Sequence, residues 1–217
     1  MDLGTMVREL GTGMLITTEI FVLTLVFSLP LGMVLAFGRM ARLKVLSFLT
    51  KLYISIMRGT PLMLQLIVVY FAPYYVFGMK ISKSYRMIAV ILAFVLNYAA
   101  YFAEIFRGGI QSISRGQYEG AKVLGFTYKQ TMWHIILPQV VKRVIPPLGN
   151  ETITLLKDTS LVYILAMNDL MRVTRAFVQR DFDTTPFLVA GIFYLVCTAV
   201  LTKILTYVEN RYAVYEE

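Results

Sequence analysis

The sequence predicts an all-α membrane protein with five transmembrane helices, its N-terminus outside and its C-terminus inside. Three observations lead there. Of its 217 residues 58% are hydrophobic and only 16% are charged, with a mean hydropathy of +0.67, too apolar for a soluble domain to cover its surface. The chain contains long stretches free of Asp, Glu, Lys and Arg, each near the roughly 20 residues that carry a helix across about 30 Å of hydrocarbon. Its basic residues collect between alternate stretches, as the positive-inside rule requires.

Four stretches are clean: Ile20 to Gly38, Gly59 to Met79, Met87 to Ala103 and Thr184 to Thr202. A fifth, Val144 to Met167, is interrupted by Glu151, Lys157 and Asp158, which makes it costly to insert. Five crossings place the termini on opposite sides. With the C-terminus inside, thirteen basic residues are cytoplasmic and seven are outside, and Lys157 stays in the membrane. Pro30 falls mid-span, where a kink is expected. Thr60 before Pro61 reads as a capping hydroxyl and a first helical proline, so the second span should start there.

Lys44 to Met57 is then left for an amphipathic segment on the cytoplasmic interface. Asn168 to Phe182 is a second one, outside, whose Arg172, Arg175 and Arg180 face lipid headgroups or an acidic protein surface. No repeat, low-complexity tract or second domain is visible, so residues 1–217 form a single membrane domain. Asp2, Arg8 and Glu9 precede the first apolar run without a basic start, which argues against a cleaved signal peptide.

Several functions are excluded by what the chain carries. Cys197 is the only cysteine and His134 the only histidine, so neither a disulfide framework nor a metal site can be drawn. Cys197 reads as a small buried hydrophobe and His134 as a packing or interfacial residue. No GxxxxGK[ST] and no GxGxxG occur, so any energy source lies on another chain. The net charge of +8 is spread between spans and not gathered on one face, unlike a nucleic-acid binder. A membrane enzyme would need paired acids beside a nucleophile, or a metal set.

Residues 119–138, EGAKVLGFTYKQTMWHIILP, break the apolar pattern on the cytoplasmic side. Gln117 to Leu124 predicts a short helix closed by Gly125. Thr127 with Gln130 is a capping box for a second short helix through Trp133, Ile135 and Ile136 toward Pro138. The first exposes Glu119 and Lys122, and the second offers Trp133, Ile136 and Leu137 for packing against the spans. A simple channel has no need of such a folded loop.

Glu119, Gly120 and Ala121, then Gly125, then Ile135, Leu137 and Pro138 resemble the "EAA" loop of membrane subunits of ATP-binding-cassette importers. Gly120 stands where that family usually has alanine. MRGTPL (Met57 to Leu62), AEIFRGGIQSI (Ala103 to Ile113) and LLKDTSL (Leu155 to Leu161) are similar to the branch that imports polar amino acids, and the likeness runs from about residue 12 to 210. It implies the type I importer transmembrane fold and a half-transporter with no enzymatic activity of its own. A second permease subunit, identical or paralogous, would pair with it. Two cytoplasmic ATPase subunits would carry ATP and Mg, and an extracytoplasmic solute-binding protein would deliver an amino acid. The coupling loop, about 107–142, would engage the ATPase through Glu119, Gly120, Ala121, Lys122, Gly125 and Pro138. A bacterial inner membrane is the implied location.

Ionisable groups at membrane depth mark a pathway or an interior pair. Glu151, Thr154 and Asp158 share one helical face, as do Asn97, Tyr101 and Glu104. Two such stripes line one cavity. Glu104 also stands three residues before Arg107, so an ion pair is an equal expectation. In KDTSL the capping types Asp158, Thr159 and Ser160 suggest a helix break, with a new helix N-terminus turned toward a substrate carboxylate. Glu151 or Asp158 would hold an ammonium or guanidinium. Counting Glu151, Asp158 and Glu104 against Lys157 favours a basic amino acid (arginine, lysine or histidine), with glutamine or another polar amino acid as the alternative. RGTP reads either as a helix start or as a solute contact.

Overall fold

The structure is a computed structural model in which residues 3–212 are described, so Asp2 lies outside the described residues. All described regular structure is helical. Helix α1 (Leu3–Arg39) begins well before the predicted span and runs through Pro30 without interruption. Its buried face carries Gly13, Thr17, Thr24, Ser28, Gly32 and Ala36, three or four residues apart wherever they are consecutive on that face. Small residues at this spacing let helix backbones approach closely inside a membrane. At Gly32 an added Cβ would lie 2.7 Å from Phe102 Cβ and 3.1 Å from the Ala99 carbonyl oxygen.

Those neighbours belong to α4 (Lys83–Gln111), the central helix, which packs against α1 and three further helices. Ala93, Phe94, Tyr98, Ala99 and Phe102 on α4 are almost fully buried. Between these two helices come α2 (Lys44–Gly59) and α3 (Leu62–Phe77), bent by 109° across a short break. The corner falls where expected, but Thr60 does not cap α3. Pro61 holds the cap position without a side-chain bond, and the Thr60 hydroxyl donates back to the Ile56 carbonyl at 2.8 Å. A residue before proline is pushed to extended backbone, so Thr60 closes α2 and does not open α3.

The loop between α4 and the fifth apolar stretch folds as two helices meeting at a turn. Helix α5 (Arg115–Val123) ends in a Schellman-type turn at Gly125, which takes the left-handed conformation with φ +79°. The Gly125 N–H donates to the Lys122 carbonyl, and the Phe126 N–H donates to the Ala121 carbonyl. The Thr127–Gln130 capping box forms as predicted and opens α6 (Tyr128–Thr131). That helix does not stop at Pro138. A π turn over Met132–Ile136 leads straight into α7 (Leu137–Asp158), with Pro138 in its first turn. Proline has no N–H for the preceding turn, and the wider π turn absorbs the mismatch.

Helix α7 passes directly into a 3-10 turn, Thr159–Leu165, which ends at Ala166 with φ +57°. The predicted break at KDTSL is therefore absent. Asp158 caps nothing, and the Thr159 hydroxyl donates to the Leu156 carbonyl at 2.7 Å. Because the backbone ladder continues, no free N–H groups are left to face a carboxylate. Helix α8 (Leu170–Asp181) starts at Asp169, whose carboxylate accepts from the Met171 and Arg172 N–H groups. It seats Leu170 and Phe177 beside Leu10 and Met14 of α1, while Arg175 covers the Tyr163 ring. Helix α9 (Thr185–Tyr212) follows.

By length and composition α1, α4 and α9 are each able to cross a membrane, and the bent α2–α3 pair makes up to four spans. Helix α7 carries Pro146, Pro147, Glu151, Lys157 and Asp158, and is not among them.

Candidate functional site

The bend between α2 and α3 is fastened from two sides. Gln65 donates from Nε2 to the carbonyls of Met57 (2.9 Å) and Thr60 (3.1 Å) and to the Thr60 hydroxyl (2.7 Å). Asn97, 3% exposed, donates to the same Met57 carbonyl and to Gln65 Oε1, both at 3.0 Å. Carbonyls at a helix end need partners, and two amides supply them here. The fastening holds Arg58, Gly59, Thr60 and Pro61 along the wall of a cavity of about 580 Å³.

Two helices complete that cavity. Helix α4 contributes Asn97, Tyr98 and Tyr101, and α7 contributes Glu151, Thr154 and Asp158. The two predicted polar stripes thus meet, and all of their members except Glu104 line this space. The Tyr98 phenol donates to Asp158 Oδ2 at 2.7 Å and ties α4 to α7.

Other predicted residues lie elsewhere. Glu104 sits outside this cavity. Arg107 grips it with Nε to Oε1 at 3.1 Å and Nη2 to Oε2 at 2.6 Å, the ion-pair alternative. It lines a second cavity of about 400 Å³ with Arg39, Lys51, Ser55, Arg58 and Tyr101. Thr159 is fully buried with its hydroxyl spent on backbone. Ser160 and Lys157 turn toward a different recess beside Tyr194 and Gly191. Lys157 is exposed on this chain and takes no part in the charge balance of the first cavity.

Tyr98 and Gln65 are additions that the sequence reading lacks, whereas Arg58 enters it in RGTP, left open between a helix start and a solute contact. Arg58 carries a signal: it directly precedes the Gly-Thr-Pro corner, but as a basic residue at a span end it counts equally well as a topology marker. Tyr98 is one step off the Asn97–Tyr101 stripe, and nothing in the spacing marks it.

In the EAA loop Glu119, Gly120 and Lys122 are exposed, and Ala121 is buried. A methyl group on Gly120 would meet nothing within 4 Å, so the departure from alanine has no steric cause. Trp133 does not pack against the spans. It is 70% exposed, because the π turn directs Met132 and Ile136 inward in its place. Val123, Leu124 and Tyr128 are exposed as well. His134 is exposed, its Nδ1 lying 3.0 Å from the Gln130 carbonyl. Among the described residues no group of His, Cys, Asp and Glu is arranged to hold a metal.

Residues 28–214 match the family of binding-protein-dependent transport system inner membrane components. The chain is 36% identical over 92% of its length to the arginine transport system permease protein ArtQ of Bacillus subtilis, covering 90% of that protein. It is 34% identical, with the same coverage, to the putative glutamine transport system permease protein GlnP of Rickettsia conorii. It is 35% identical over 93% of its length to the glutamate/aspartate import permease protein GltK of Escherichia coli, covering 92% of it. A solved amino acid ABC transporter with histidines superposes with a TM-score of 0.87 at 32% identity, covering 97% of this chain and 99% of that one. The MetNI methionine ABC transporter shares the fold, with a TM-score of 0.74 at 16% identity over 98% of this chain and 100% of its own. ATP hydrolysis in such systems belongs to a separate ATPase subunit, and this chain is not an enzyme. With its EAA loop, its helical membrane core and these relatives, the chain belongs to the binding-protein-dependent inner membrane components, as a permease subunit of the amino-acid ABC importers.

Proposed function

We propose that this subunit carries a basic amino acid through the cavity between α2, α4 and α7, and that arginine is its best substrate. What supports this is one juxtaposition: Arg58, Glu151 and Asp158 line the same space. An amino-acid zwitterion brings one carboxylate and one ammonium. Arg58 matches the carboxylate and one acid matches the ammonium, which leaves the second acid for a cationic side chain. Arg58 thus takes the place that Lys157 holds in the sequence-based count, and one net negative charge remains. Tyr101, Thr154 and Asn97 complete the polar lining, whereas Glu104, Thr159 and Ser160 are left out of the set.

The crossing helices in this reading are α1, α3, α4, α7 and α9, with the N-terminus outside, in a bacterial inner membrane. Two permease subunits, identical or paralogous, stand over two ATPase subunits that hold ATP and Mg. Glu119, Gly120, Ala121, Lys122, Gly125 and Pro138 frame the surface that each ATPase grips. An external binding protein loads the outer face. Relatives named for glutamine transport keep that amino acid as the second reading.

The test is uptake into proteoliposomes by the complete complex with its ATPase and binding protein. Labelled arginine, glutamine and glutamate are compared, with and without ATP. Arginine is expected to enter fastest, and Glu151→Gln and Asp158→Asn each to cut its uptake at least tenfold. Normal arginine uptake by both variants removes the acids from the pathway, and faster uptake of glutamine selects the second reading.

A further inference from the structure

Arg58 borders two cavities at once. The larger one holds Glu151 and Asp158, the smaller one holds Glu104, and Arg58, Gly59 and Tyr101 are the lining they share. The guanidinium lies over the Tyr101 ring, 5.1 Å from its centroid, and its Nη1 is 4.0 Å from Glu104 Oε2, at the outer limit of an ion pair. Glu151 lines one of these cavities and Glu104 the other, with Arg58 on the wall of both. Its side chain is 44% exposed, so it has room to move. The backbone beneath it has none, because Gln65 and Asn97 pin Met57 and Thr60 on either side. A long cation on a fixed root, resting on an aromatic face between two sets of acceptors, is built to swing.

We infer that Arg58 is the inner partition of the substrate cavity, and that Glu104 positions it by offering a carboxylate on the far side of Tyr101. With substrate present, Arg58 binds the amino-acid carboxylate. As the substrate leaves, the guanidinium passes along the Tyr101 ring to Glu104, which Arg107 keeps in place through Nε and Nη2. The smaller cavity, with Arg39 and Lys51 on its wall, then receives the released carboxylate. Without Glu104 the guanidinium has no second acceptor, so release and not binding becomes slow. This rests on the cavity being the substrate site, as proposed above.

The complete complex in proteoliposomes separates the two ideas. Glu104→Gln is expected to lower the maximal rate of arginine uptake at least fivefold while the KM for arginine stays within twofold. Glu104→Asp, which keeps the charge, is expected to recover more than half of the rate. Full-rate uptake by Glu104→Gln overturns the inference, and so does a rise in KM with an unchanged maximal rate, which makes Glu104 a binding residue. An equal loss in Glu104→Asp and Glu104→Gln also overturns it, since geometry and not charge is then what matters. Labelled glutamine serves as a second probe: any α-amino acid carries the carboxylate, so the rate loss persists with glutamine even where the preference for arginine fails.

Discussion

The Tyr98 phenol donates to the Asp158 carboxylate at 2.7 Å and so joins α4 to α7 at the wall of the cavity. The bond occupies one oxygen of Asp158 and leaves the other for a ligand. It also fixes the carboxylate plane, since Tyr98 is buried and stacked on Phe94 with near-parallel rings 6.3 Å apart. Bonds to charged groups contribute about 1.5–3 kcal/mol. Tyr98→Phe is therefore expected to destabilise the subunit by about 2 kcal/mol and to raise the KM for arginine roughly tenfold, a factor worth about 1.4 kcal/mol. Thermal unfolding of the purified complex and uptake kinetics check the two halves separately.

The elbow between α2 and α3 has an analogous weak point. Gln65→Leu removes the bonds donated to Met57 and Thr60 and the acceptor of Asn97. The Met57 carbonyl keeps Asn97 and the exposed Thr60 carbonyl can turn to solvent, but the buried Asn97 amide is left one acceptor short. Unsatisfied buried polar groups cost about 1–3 kcal/mol each. The expected outcome is a complex that assembles but transports arginine at least tenfold more slowly, because Arg58 and Pro61 no longer hold the cavity wall. Uptake at the normal rate would show that the bend survives on proline and the Asn97 bond to the Met57 carbonyl.

Much of this was legible in the residues because it depends on local spacing. The capping box at Thr127, the left-handed Gly125 and the helical face of Glu151, Thr154 and Asp158 are all set by neighbours within about two helical turns. The misses share another cause. Tyr98 gains its meaning from Asp158 and Gln65 from Asn97, and the choice left open for Arg58 in RGTP turns on Glu151 and Asp158, all distant in the chain. The absent break at Asp158 and the outward Trp133 depend on whether a helix continues as a 3-10 or a π turn. Such choices follow from packing, and capping residue types alone do not decide them.

Close approach of α1 and α4 gives a contrast within one helix. Gly32→Ala places a methyl group within 2.7 Å of Phe102 Cβ, whereas at Gly11 an added Cβ meets nothing within 4 Å. Overpacking costs typically about 1–3 kcal/mol. Alanine gains about 0.5–1 kcal/mol over glycine in an open helical site. Gly32→Ala is expected to lower the unfolding midpoint and Gly11→Ala to raise it slightly, both measured on detergent-purified protein.

Asp169 sets a pH dependence on the α8 junction. Burial pushes its carboxyl up to about 6, against the downward pull of the Met171 and Arg172 N–H groups that it accepts from. An exposed aspartate in the unfolded chain titrates near about 3.9. The folded state therefore holds the proton more tightly, and its stability is greatest below about pH 4, falls as pH rises through about 6 and is level above that. Unfolding midpoints measured from about pH 4 to about pH 7.5 are expected to fall in the native chain. Asp169→Asn, which keeps the acceptor and loses the proton, is expected to flatten that slope.

The exposed apolar residues of the EAA loop separate stability from coupling. Leu124 and Trp133 are 76% and 70% exposed, so their truncation removes almost no packing inside this chain. Surface substitutions of that kind stay within about 0.5 kcal/mol. A partner that buries them loses much more, since aromatic and aliphatic anchors at the centre of an interface contribute about 2 kcal/mol or more each. The double variant Leu124→Ala, Trp133→Ala is expected to keep the unfolding midpoint of the isolated subunit and to lose copurification of the ATPase by at least tenfold. Retained copurification would move the ATPase contact away from this face, while a lowered midpoint would mean that Trp133 packs within the subunit after all.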